Sequence, residues 1–198
     1  MTVHRDDLGD KMGMWLFIFT ELLLFGMLFV VYAVYRSMHP EAFKLGGDEL
    51  DVVMGTINTI ILLISSMTVA MSISAMQKGN KKLALTLLTI TLIIAVVFLV
   101  NKYFEWGAKF EYGFNPGAPE LLELGHGTIL FFGLYFIMTG IHALHILIGI
   151  ALFIYVVWQI RKDKIHQTDY VWLENTGLYW HLVDLIWIFL FPLFYLIH

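Results

Sequence analysis

Five apolar stretches, each about 20 residues or longer, limit what this chain can fold into. They cover residues 12–35, 52–76, 83–106, 127–158 and 177–197 of 198. Such a stretch wound as an α-helix crosses the ~30 Å hydrocarbon core of a bilayer. Only 14% of the residues are charged, too few to coat a soluble domain of this size. Lipid must therefore replace water as the main solvent. The expected fold class is all-α: an integral membrane helical bundle with five transmembrane helices, forming a single membrane domain over residues 1–198.

The segment before the first stretch is mixed in charge, and the stretch itself is too long for a signal-peptide core. It is read as a spanning helix kept in the mature protein. The connections are short except 102–125, which holds Asn115-Pro116-Gly117-Ala118-Pro119 and is expected outside the membrane. Loop charge gives the orientation, because Lys and Arg favour the cytoplasmic side. With the N-terminus inside, that side holds Arg5, Lys11, Lys78, Lys81, Lys82, Arg161, Lys162 and Lys164. The outer side then holds Arg36, Lys44, Lys102 and Lys109, together with an excess of carboxylates. The N-terminus is expected to be cytoplasmic and the C-terminus on the periplasmic, outer side. A net charge of -4 with no basic stripe argues against a nucleic-acid partner. The absence of cysteine removes disulfides, thiolate catalysis and cysteine-held iron–sulfur clusters.

Polar residues inside the apolar stretches are the functional candidates, since hydrocarbon does not solvate them. Glu21 sits about ten residues into the first stretch, with Phe17, Phe25, Leu28 and Tyr32 on its face at helical spacing. It can hold or hand on a proton, or make a structural hydrogen bond to a neighbouring subunit; the residues leave both open. Asn58, Ser65, Thr68 and Ser72 share one face of the second stretch and read as helix-packing positions. Glu105, late in the third, can snorkel or pair with a group on the fourth. His142 and His145 are three apart on the fourth, with Thr139 and Gly149 beside them. That pair suits interhelical hydrogen bonds better than half a metal site. In the fifth, Glu174, Gly177, His181 and Asp184 form one stripe, in which His181 and Asp184 can bond each other or meet the fourth helix. A free-standing haem protein using His142, His145 and His181 is a different reading. A proton-coupled transporter using Glu21 is another.

Several segments together carry a family resemblance. They are Met14-Trp15 through Glu21 to Phe25, Ile57-Asn58-Thr59, and Phe104-Glu105-Trp106. Two longer ones follow: Thr139-Gly140-Ile141-His142-Ala143-Leu144-His145 running on to Gly149, and Tyr179-Trp180-His181-Leu182-Val183-Asp184-Leu185-Ile186-Trp187. In this order the chain resembles subunit III of the haem–copper cytochrome oxidases from Lys11 onward. The resemblance implies a helical bundle packed on subunit I, without a catalytic metal centre or bound redox cofactor of its own. Haem and copper then belong to the partner subunits, and phospholipid is the expected ligand. Glu21 matches the family's buried membrane carboxylate, linked to proton or oxygen supply. Glu105, His142, His145, Glu174, His181 and Asp184 match positions of an internal polar network. Subunit II is a further implied partner, with room for subunit IV and a larger respiratory supercomplex, in a bacterial plasma membrane. Long family members have seven helices, and this chain resembles the five-helix bacterial form. The V-shaped lipid cleft of the long form would then need a second wall from another chain. Quinol oxidases and, more distantly, nitric oxide reductases have related subunits.

Overall fold

The computed structural model describes residues 7–114, 121 and 125–196. Its helices are α1 (Asp7–Met38), α2 (Pro40–Asp48), α3 (Val52–Gln77), α4 (Lys81–Glu111), α5 (His126–Arg161) and α6 (Val171–Phe191). A π-helical turn, Pro192–Leu196, follows α6. Five spans, Lys11–Met38, Val52–Gln77, Lys81–Glu111, His126–Arg161 and Val171–Leu196, are long and apolar enough to cross a membrane. The five expected helices are therefore present.

Local chemistry places the helix ends. His39 precedes Pro40, whose ring disfavours a helical residue before it, and His39 leaves the helical region at φ -133°, ψ 57°. The chain breaks there, and Pro40 starts α2 at a position where a missing N–H costs nothing. Asp51 caps α3 by accepting from Val53 N at 2.9 Å and Met54 N at 3.0 Å. Asn80 caps α4 through Leu83 N at 3.1 Å. Gly79, at φ +74°, makes the left-handed step between them.

Three differences from the sequence reading stand out. The third span continues to Glu111, so Lys102 and Lys109 belong to α4 and not to an outer loop; both are buried. The fifth helix begins at Val171, six residues before the expected start at Gly177. Finally, α2 is a short helix with Phe43 buried, which hydropathy alone did not reveal. The segment Asn115–Pro119 falls outside the described residues.

The helix α6 is the axis of the bundle: 56% of its apolar stretch is buried, against 11% for α1. It packs on α1, α3 and α5, while α3 packs on α4 and α4 on α5. Two glycines set its spacing. A Cβ at Gly149 would lie 2.6 Å from the Trp180 ring, and one at Gly177 would lie 2.8 Å from Ile73. Gly149→Val should therefore push α5 off α6 and destabilise the subunit by about 1–3 kcal/mol. Thermal unfolding in detergent reads this out, with Gly133→Ala, which meets open space, as the neutral control.

Candidate functional site

Polar side chains gather in two layers. At 1.5 Å per residue, Glu21 and His181 each lie about 15 Å from the start of their spans, Lys11 and Val171. Across this first layer His145 Nε2 meets Glu21 Oε2 at 2.9 Å, joining α5 to α1. Tyr179 of α6 donates to the carbonyl of His145 at 2.9 Å. Trp180 Nε1 donates to Ser65 at 3.0 Å, and Ser66 meets His181 Nδ1 at 2.6 Å, joining α6 to α3. Thr68 and Thr91, 2.8 Å apart, carry the layer on to α4.

The Glu21–His145 contact has a fixed proton count. His145 Nδ1 lies 2.7 Å from the carbonyl of Ile141, which can only accept, so Nδ1 carries a hydrogen. Nε2 then has two options against Glu21. Either an imidazolium N–H donates to the carboxylate, or a carboxylic O–H donates to bare Nε2. Both arrangements place one proton in the bridge and leave the pair neutral. Moving that proton across changes no net charge, which suits a site in hydrocarbon. Both side chains are mostly buried, with Glu21 14% exposed.

The second layer lies towards the Glu111 end of α4. Lys102 donates to Glu105 Oε2 at 3.1 Å, to the hydroxyl of Tyr135 at 3.2 Å and to that of Tyr195 at 2.8 Å. Tyr135 donates in turn to Glu105 Oε1 at 2.7 Å, and Tyr195 donates to the same oxygen. The ammonium also sits over the rings of Trp187, Tyr135 and Tyr195 at 4.9, 5.1 and 5.4 Å. Every proton of the ammonium is used, and every partner is neutral or opposite in charge. Below it Asn101 donates to Asn58 at 2.9 Å, and Trp187 Nε1 donates to Thr59 at 3.0 Å.

Other candidates separate from these layers. Glu174 pairs with Lys11 at 3.3 Å, at the N-terminal end of the bundle rather than in its interior. Ser72 bonds its own helix through Val69 O at 2.7 Å. His142 and His145 are not a joint site. The His142 ring packs against Phe98 at 5.7 Å and Trp187 at 5.1 Å, fully buried, with neither nitrogen bonded. That packing gives no support to the haem reading. Among the described residues no group of three or more His, Cys, Asp or Glu is placed to hold a metal. His181 meets Ser66 of α3, not Asp184 or α5. Asp184 is buried close to the Ser66 hydroxyl. Sequence reasoning missed Lys102, Tyr135, Tyr195 and Ser66. The signal for the first was the Lys–Glu spacing of three inside an apolar helix.

Five helices long and apolar enough to cross a membrane, tied by buried polar layers, define a polytopic membrane protein. The family model "Cytochrome c oxidase subunit III" matches residues 3–198, and the chain belongs to that family, the third subunits of haem–copper oxidases. It is 33% identical to the cytochrome c oxidase subunit 3 of Thermostichus vulcanus, over 94% of this chain and 86% of that one. It is 31% identical to the heme-copper oxidase subunit I+III of Aeropyrum pernix, over 94% of this chain and 22% of that longer one. A probable quinol oxidase subunit 3 of Staphylococcus aureus is 29% identical, over 98% of this chain and 91% of its own length.

Glu105→Leu should strand the Lys102 ammonium and cost about 3–5 kcal/mol, the penalty for breaking a buried pair. The double variant Lys102→Met/Glu105→Leu should recover most of that loss. A double-mutant cycle by thermal unfolding in detergent measures the difference.

Proposed function

We propose that this chain is the non-catalytic third subunit of a respiratory terminal oxidase of the cytochrome c oxidase type, in a bacterial plasma membrane. It packs directly on the catalytic subunit I, in a complex with subunit II. Haem and copper sit in those partners, where oxygen is reduced and protons are moved outward. The complex has room for a subunit IV and for a place in a larger supercomplex.

The observation that carries the supply role is the one-proton bridge between Glu21 and His145. Glu21 lies on α1, the most exposed helix, so its carboxyl is within reach of a neighbour, while His145 lies deeper in the bundle. The pair can pass its shared proton from one side chain to the other with no change of net charge. A lipid role has its own support. A mainly apolar pocket of ≈ 360 Å³, whose lining includes Met14, Phe17, Ile148, Leu152, Asn175 and Thr176, opens at the Lys11–Glu174 end. It fits an acyl chain whose headgroup would lie near Lys11.

A quinol oxidase is the second reading. The Staphylococcus aureus relative matches as much of the chain as the cytochrome c oxidase one does. A more distant reading is the accessory subunit of a nitric oxide reductase. Purification from the native membrane in mild detergent, with the partners identified by mass spectrometry, separates these. Recovery with a haem–copper subunit I and a copper-binding subunit II supports the leading reading. A subunit II without copper ligands would shift it to quinol.

Glu21→Gln keeps a hydrogen bond to His145 but has no acidic proton. The oxidase should assemble normally and lose activity several-fold sooner during continuous turnover. An unchanged turnover lifetime would remove the proton-supply role.

A further inference from the structure

The helices α1, α5, α4 and α3 form an open ring around α6, because α1 and α3 do not pack side by side. In that gap α6 shows one stripe of its surface, His181, Leu185 and Phe189, spaced by four residues. The α1 side is apolar. Leu22, Phe25, Gly26 and Phe29 make a pocket of ≈ 220 Å³ with Leu185 and Phe189, and the space over Gly26 is open. The α3 side is polar. Ser66 holds His181 Nδ1 at 2.6 Å and directs the ring, and Nε2 has no bonding partner among the described residues. One turn further on, Asp184 lies close to the Ser66 hydroxyl, 2% exposed.

The depth of this notch decides what can cover it. His181 lies about 15 Å from the start of its span, well inside the hydrocarbon layer. Acyl chains offer no donors or acceptors there, and lipid headgroups stay at the interface. A partly buried imidazole backed by a buried carboxyl is thus badly matched to lipid. A helix carrying a hydrogen-bonding side chain at the same depth matches it. The open surface at Gly26 admits close helix approach beside it.

We propose that the gap between α1 and α3 is the docking face for one transmembrane helix of the catalytic subunit. That helix presents a hydrogen-bonding side chain to His181 Nε2, while its apolar side chains enter the pocket between Gly26 and Phe189. The identity of the partner rests on the reading of this chain as a third subunit. The chemistry of the face does not.

The chain has no cysteine, so a single thiol can be placed at will. Leu185→Cys in the gap and Leu144→Cys, 55% exposed on α5, would each be labelled with a benzophenone maleimide in the intact purified oxidase. The gap position should crosslink to the catalytic subunit at least several-fold more than the α5 position. His181→Leu should lower the detergent concentration that strips this chain from the complex, and His181→Gln should restore it. Crosslinking from Leu144 but not Leu185, or capture of lipid alone at Leu185, overturns the docking face and leaves the subunit assignment standing. Equal retention of His181→Leu and the parent overturns the polar contact. A purified complex with no haem–copper subunit would instead defeat the subunit assignment itself.

Discussion

A polar side chain inside a bilayer has only protein to bond with, and that requirement orders this bundle. Hydrophobicity brings the five helices into lipid but cannot choose their neighbours, since a leucine is as comfortable against an acyl chain as against another helix. The choice falls to the hydrogen bonds. Glu21 fixes α1 on α5, Trp180 and His181 fix α6 on α3, and Thr91 fixes α4 on α3. Close contact at Gly149 and Gly177 then sets how tightly these pairs meet. The apolar core fills the remaining space, with Phe98, Phe131, Phe153 and Trp187 fully buried.

The two polar layers solve the same problem in different ways. Lys102, Glu105, Tyr135 and Tyr195 form a closed set in which each donor has an acceptor, which suits permanent structure. The Glu21–His145 layer is neutral as well, but it is neutral in two proton positions. A site that is neutral both ways can shift its proton from one side chain to the other without upsetting the packing around it. The contrast sets a bridge whose proton has two positions at mid-depth and a fixed set of bonds near the other end.

Much of the fold was legible in the sequence because a membrane makes length and apolarity decisive. The candidate residues were legible for the same reason, as Glu21, Glu105, His142, His145, His181 and Asp184 interrupt apolar runs. Their partners were not. Glu21 and His145 are 124 residues apart, and no periodicity within one helix reveals a bond between two. Lys102 was misplaced because counting loop charges treats a lysine near a helix end as solvent-facing. Its neutralising carboxylate, one turn away, keeps it inside instead. Ser66 was overlooked beside Ser65. Successive residues on a helix point about 100° apart, so one meets Trp180 and the other His181.

The turn at Pro192–Leu196 has a consequence for the order of assembly. Tyr32 of α1 donates to Leu193 O at 2.5 Å, while Tyr195 reaches Lys102 and Glu105 on α4. Tyr195 follows every other member of that set along the chain. Until α6 has entered the membrane and this turn has formed, the lysine and glutamate remain short of one partner. A bundle without its final helix therefore carries an incompletely satisfied ion pair in its interior, and a complete one does not.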